Sequence, residues 1–528
     1  MRPRVWQPPV ELSAAEAAII KRIHRAKLFV FLRQQRHILF AEAFQEELAT
    51  LLYADAAVGH PPIPPAQLGL ATLLQAYTGA SDDEVIEATT MDRRWQLVLD
   101  CLEASEPPFS KATLSAVRQR LLTQQGDRRL VERTVEVAQA SGAFGPRARR
   151  VALDSSPLWG AGRVEDTDNL LGHALRKALG VIARPQGRGL AEVAGEAGAD
   201  VLGGPSLKAA LDLDGDDLAA REQALALVLH TLEAVESWVD AQPAAADPLV
   251  ASSLAIAHQV QAQDVRPNDA GQPGLGQGVA RDRRISVEDG QMRHGRKSRH
   301  QRVDGYKRPV LYDLDMGVVR AVGLTPANAP EAGVTTSILE DLPAQGVSLA
   351  DREEVHIDRA YLTSPWVRER PAQLQVYCKA WPVRNRDRFP KTAFTLDGER
   401  QTLRCPAAVE MPFVPGGVVH FPVPTCAACP LRARCTASPH GRSVHIHADE
   451  RLLHELRQRQ LTALGRAKLR ERVAVEHTLA QVGHWQGRRA RYRGVRKHLL
   501  DLRRSAVVFN LHMLARLPAS VWDQHAAA

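Results

Sequence analysis

A chain of 528 residues with 45% hydrophobic and 24% charged side chains can bury a sizeable core, which excludes a disordered or low-complexity polymer; length alone would suggest about three or four domains. Its net charge of +8 and pI near 9.3 point to an acidic partner. The beginning of the chain lacks an apolar core with a cleavage site, and its apolar run at 28–32 is far too short for a bilayer, so a cytoplasmic protein without a membrane partner is expected.

The chain opens with a helical leader over 1–59, in which Ile19, Ile20, Ile23, Leu28 and Phe31 suit core packing within a helical stretch at 14–53. A Pro-rich linker at 60–65 ends that unit. Residues 68–76 then read as a helix. Ser81 and Glu84 have capping-box spacing for a second, and Ser110 caps a third that carries Arg118 and Arg120. Three short helices ending in a basic one fit a helix-turn-helix DNA reader or a plain helical bundle, and pattern alone does not separate the two.

Val151, Ala152 and Leu153 form a continuous apolar run with a β-branched start, which predicts a strand buried on both faces. It is expected to deliver Asp154 at its end and to break at Pro157. A carboxylate there is costly without a cation, and a hard divalent metal is the obvious partner. Residues 165–263 are Ala/Leu-rich, and Leu225, Val228, Leu232, Val235 and Val239 keep helical spacing, so a helical insertion is expected, with Asp166 and Asp168 in an outlying polar loop. A Gly/Pro-rich linker at 264–278 follows.

Residues 281–308 carry +6 and residues 488–504 carry +7, which leaves −5 for the rest. Charge gathered into two stretches favours a polyanion track over general solubility, although two solvated basic loops would give the same counts. Residues 305–314 and 318–324, turned by Asp315-Met316-Gly317, predict a hairpin beside the Asp154 strand. A helix at 331–342 follows, then a strand at 354–357 that delivers Asp358, a helix start at Ser364-Pro365, and a strand at 374–378. Of six cysteines, Cys101 and Cys378 read as buried small hydrophobes. Cys405, Cys426, Cys429 and Cys435 cluster in a small insertion at about 397–445 that is expected to lack a core of its own. They can supply four thiolates to a tetrahedral structural Zn²⁺, with His420, His440 or His445 able to replace one, or stay reduced and unligated. Val475, Leu479 and Val482 mark one helical face, with Glu476 beside it and Arg472 one turn earlier. Past the second basic stretch, an apolar helix at 499–514 closes the fold, and the tail 526–528 is expected to fray.

Three segments, in order, carry a resemblance: Leu153-Asp154-Ser155-Ser156-Pro157-Leu158-Trp159-Gly160, His356-Ile357-Asp358-Arg359-Ala360-Tyr361 and Arg472-Val473-Ala474-Val475-Glu476. They resemble the three acidic motifs of bacterial insertion-sequence transposases of the DDE superfamily, and the likeness runs over about residues 61–514. Related branches carry Tyr and Lys where this chain has Leu469 and Gly483. The resemblance implies an α/β fold, in which a ribonuclease H-like mixed sheet flanked by helices forms a catalytic domain at 146–520, with the helical and cysteine-rich insertions inside it. It also implies an N-terminal all-α DNA-binding domain at 60–145. Asp154, Asp358 and Glu476 would bind two Mg²⁺ or Mn²⁺ ions for strand cleavage at element ends and strand transfer into target double-stranded DNA, with no covalent protein intermediate. The protein would assemble as a homodimer on DNA. Arg293, Arg296, Lys297, Arg299 and Lys307, then Arg472, and finally Arg488, Arg489, Arg491, Tyr492, Arg493 and Lys497 would contact it. Two other readings fit less: a ribonuclease H-like nuclease that does not join strands, and a catalytically inactive transposase-derived DNA-binding protein, against which all three acids speak.

Overall fold

A computed structural model describes residues 2–53, 62–144, 149–204, 207–211, 217–269, 271–276, 278, 280, 282–342 and 351–525. His60 and Pro61 of the expected linker, and the expected frayed tail 526–528, lie outside the described residues. The central sheet is mixed. Its first strand, Arg150–Trp159, runs antiparallel to the long strand Arg302–Asp313, from Val151 opposite Asp313 to Trp159 opposite Gly305. Along its other edge, Glu354–His356 pairs in parallel with Arg150, Val151 and Ala152 only, and Gln375–Tyr377 continues that parallel side. Arg293–Arg296 and Val319–Val322 pair with opposite halves of the long strand, the latter across a register shift at Leu311 and Tyr312. This topology is compatible with a ribonuclease H-like fold.

The break expected at Pro157 does not occur. Between Leu153 and Leu158 the first strand is paired along one edge only, where a residue without an N–H is tolerated, so it continues to Trp159. Asp154 therefore lies not at the strand's end but just beyond the point where the parallel neighbour parts from it. Side chains alternate across a strand. Val151 and Leu153 enter one apolar layer with Leu311, Val355, Ile357 and Val376, whereas Ala152 faces the opposite layer with Val310, Val475, Leu479, Val482 and Phe509. Asp154 and Ser156 follow Ala152 onto that second side, which the helix Val473–Gln486 covers. Gly305 is needed where the long strand passes the end of the first, since a Cβ there would meet the Leu158 carbonyl oxygen at 2.3 Å.

The N-terminal stretch read as one helical run is three helices, Ala14–Arg22, Lys27–Leu39 and Glu42–Leu52. Pro65–Thr78, Asp82–Met91, Arg93–Leu99, Lys111–Thr123 and Gly126–Ala140 follow, with Ser13 and Ser81 forming the capping boxes of their helices. Their apolar core continues into the helix Val495–Leu514 through Leu500, Val507, Val508 and Leu511. The Ala/Leu-rich insertion packs Thr167–Ala183, Leu218–Asp240 and Pro248–Asp264 around Leu171, Leu175, Val228, Leu232 and Val260. Asp166 and Asp168 are not an outlying loop: Asp166 caps the first of these helices and Asp168 lies in its first turn. The cysteine-rich insertion does have a core, built from Phe394, Leu403, Phe413, Val419, Phe421, Val444 and Ile446. Among the described residues, no helix is long and apolar enough to cross a membrane.

Candidate active site

Asp154, Asp358 and Glu476 all line one cavity of about 1050 Å³. Strand alternation turns Asp154 toward the covering helix. Asp358 stands two residues past the parallel strand, where its carboxylate caps the turn Arg359–Tyr361 by accepting from the Arg359 N–H at 2.5 Å. Glu476 projects from the first turn of its helix, half exposed. Arg472 joins two of the three: Nη1 donates to Asp154 Oδ2 at 2.5 Å and Nη2 to Glu476 Oε1 at 2.5 Å. Burial pushes the Asp154 carboxyl above its ordinary range and the charges of Asp358 and Glu476 push the same way, while Arg472 and the Ser155 N–H pull it down. The three acids thus share one electrostatic environment, and the guanidinium stands where a cation between Asp154 and Glu476 is favoured. Hard carboxylate oxygens around a polar cavity fit Mg²⁺ or Mn²⁺.

Among the described residues, the group whose ligand atoms all lie within 4.8 Å is a different one, Glu354, His356 and Glu471. Its carboxylates are already taken, Glu354 by Lys468 at 2.9 Å and Glu471 by Arg150 at 2.9 Å. It reads as an ion-pair cluster that pins the chain just before the Glu476 helix to the starts of two strands.

The basic residues divide by what they touch. Arg296 and Lys297 line the acid cavity from the hairpin between Arg293–Arg296 and the long strand, and Arg299 is exposed at the hairpin's tip. Lys307 lines the cavity too, paired with Glu331 at 2.8 Å. Arg293 is not turned to a ligand: it is buried against Asp282 at 2.7 Å and the Gly290 carbonyl. The second basic stretch is stitched to the end of the first strand, with the Trp159 N–H donating to the Arg488 carbonyl and the Ala490 N–H to the Trp159 carbonyl, and this brings Arg488 to the cavity. Arg489 bonds the Gly160 carbonyl, Arg491 the Trp485 carbonyl, and Arg493 pairs with Glu288. Tyr492 accepts from Arg504, and Lys497 is exposed. Sequence reasoning missed Arg308, which lines the same cavity opposite Ser156, and Glu331, which accepts from the Ser155 hydroxyl at 3.1 Å. Glu331 directly after Pro330 at a helix start was the available signal.

Cys405, Cys426, Cys429 and Cys435 line one pocket of about 210 Å³, although no three of their sulfurs all lie within 4.8 Å of one another. Burial pushes the Cys435 thiol up, Arg442 pulls it down, and the neighbouring Cys426, Cys405 and Cys429 add a smaller upward push. Cys101 and Cys378 are buried, and burial pushes their thiols up to about 11 and about 12.

A mixed sheet of this topology, presenting three acids to a cavity ringed by cations, is what a polynucleotidyl transferase offers its substrate. Residues 405–515 match the family model described as a transposase DDE domain, and residues 20–120 match that of a transposase domain (DUF772). Together the two matches support an insertion-sequence transposase of the DDE superfamily. The first span takes in the four cysteines and Glu476 but neither aspartate. No curated protein and no solved structure matches the chain.

Proposed function

We propose that the chain is a DDE transposase that binds the terminal repeats of its own element, cuts there, and joins the freed ends to target double-stranded DNA, acting as a homodimer on DNA. The observation that carries this reading is the meeting of Asp154, Asp358 and Glu476, from three distant segments, in one cavity whose wall also holds Arg296, Lys297, Lys307 and Arg488. Asp154, Asp358 and Glu476 would hold two Mg²⁺ or Mn²⁺ ions, which supply Lewis-acid stabilisation of the attacking and leaving oxygens of an in-line displacement. Arg472 would release the two carboxylates as those cations take its place. Arg488 and the basic hairpin would hold the backbone on either side, and the N-terminal helices would read the repeat. The cysteine cluster would take one structural Zn²⁺.

The test replaces Glu476 by Gln, which keeps shape but removes charge. Mg²⁺-dependent cleavage and joining of a DNA bearing the element's ends should both fall by orders of magnitude while end binding persists, and Asp154→Asn and Asp358→Asn should behave alike. If Glu476 only pairs with Arg472, its loss would cost a few tenths of a kcal/mol and leave cleavage near the wild-type rate, which would refute the assignment. Cleavage without joining would make the protein a nuclease.

A further inference from the structure

Arg308 has the burial of a core residue and the surroundings of a ligand site. It is 5% exposed, on the strand face that turns toward the Glu476 helix, directly opposite Ser156. Its Nε donates to Ser156 Oγ at 2.8 Å, and its Nη1 to Gln486 Oε1 at 3.0 Å and the Gly487 carbonyl at 2.9 Å. All three acceptors are neutral. No carboxylate among the described residues pairs with it; Asp501 attracts it from farther away but is itself held by Arg504 at 2.9 Å. Arg33, Arg320 and Arg503, buried as deeply, have Glu16, Asp313 and the pair Asp127 and Asp341. Burial pulls the Arg308 guanidinium down to about 10, and it stays protonated at neutral pH.

The remaining nitrogen, Nη2, has no hydrogen-bond partner among the described residues and lies against Gly483. A Cβ built there would stand 2.6 Å from Nη2, and the three nearest atoms to it all belong to Arg308. Glycine at this position leaves the helix room for the guanidinium, and both residues line the cavity that holds the acids. A buried cation with neutral anchors, one donor free and an open polar cavity in front of it is stabilised by an anion that arrives from the cavity.

We propose that Arg308 binds a backbone phosphate of the DNA in this cavity, beside the phosphate under attack and not at it. The assignment rests on the transposase reading above. Ser156 lies two residues past Asp154, or about 7 Å along a strand, so Arg308 is set apart from the acids by a step comparable to its own reach. Its anchors hold the planar fork in one orientation, which favours a charge-assisted contact to phosphate over the looser hold of an exposed lysine.

The test measures binding by the full-length chain, in EDTA, to a duplex carrying the inverted repeat that flanks its gene and to a random-sequence duplex of equal length. Arg308→Gln should weaken both by about tenfold or more and flatten the log–log salt dependence by about 0.9, whereas Arg308→Lys should keep most of the slope. Gly483→Ala, whose new methyl meets Arg308 first, should weaken binding in the same direction while the protein still folds. A folded Arg308→Gln or Gly483→Ala protein with wild-type affinity and slope would overturn the proposal. So would equal losses in the Gln and Lys variants, which would make Arg308 a structural brace. A wild-type chain that binds neither duplex would instead refute the transposase reading itself.

Discussion

Glu16 and Arg33 lie buried together, with Nε donating to Oε1 at 2.5 Å and Nη2 to Oε2 at 2.9 Å, and they tie the first helix to the second. The Arg33 bonds, opposed by burial and helped by the Ser13 cap, lower the Glu16 carboxyl to about 2 from an ordinary 4.5. A depressed acid stabilises the fold fully above its unfolded value and loses that contribution as pH falls through the folded one. Glu16→Gln should therefore cost on the order of 3 kcal/mol at neutral pH. The gap between the two denaturation curves should close from pH 4.5 down to about 2; a gap constant over that window would show that the charge contributes nothing. Other single residues were unequally readable. Asp154, Asp358 and Glu476 stand out because short β-branched runs and a helical stripe put each beside a buried surface. The i,i+4 tie from Arg472 to Glu476 follows from spacing alone. Its tie to Asp154, 318 residues away, does not, because it depends on how the helix crosses the sheet.

Elements were legible where burial imposes a period and hidden where pairing overrides composition. The strands around 310, 320, 355 and 376 and the helices at 473–486 and 495–514 follow their apolar patterns closely. The strand Arg293–Arg296 does not, since Arg-His-Gly-Arg has no strand propensity, and it forms because Arg302–Gly305 offers a free edge. Pro157 misleads for a related reason: it reads as a breaker, but half of the strand's length is an edge. The cysteine insertion shows a third case, in which scattered aromatics that look like loop residues meet as a core under two small sheets. That core fixes the backbone around the four cysteines without closing their sulfurs on one another. Metal analysis of the purified chain should find about one zinc, and Cys429→Ser should lower that content and expose the remaining thiols to titration. No zinc, with all four thiols reactive in the native protein, would leave the insertion as a plain apolar module.

At the scale of the molecule, the boundary that the sequence suggests near residue 145 is crossed by packing and by charge. Asp127, fully buried at the start of the helix Gly126–Ala140, receives Arg496 at 2.6 Å and Arg503 at 3.0 Å from Val495–Leu514, the long helix near the C-terminus, and Arg503 reaches on to Asp341 at 2.8 Å. Asn510 bonds Thr134 and both backbone groups of Val319, so one side chain of Val495–Leu514 holds an N-terminal helix and an outer strand of the central sheet to its own helix. That helix packs in turn on the helix carrying Glu476. A sequence shows the charges but not the partners, because each pair joins residues more than 150 positions apart. If this network couples the halves, Asp127→Asn should cost about 3–5 kcal/mol, since it strips a buried carboxylate from two arginines. The loss should appear in a single unfolding transition with an unchanged denaturant slope. Amide exchange should accelerate together in Pro65–Thr78 and Val473–Gln486, because an opening of the shared core releases both. Two separate transitions, with only the N-terminal helices destabilised and the Glu476 helix still protected, would show that the N-terminal half folds as its own unit and is not coupled to the acids through this core.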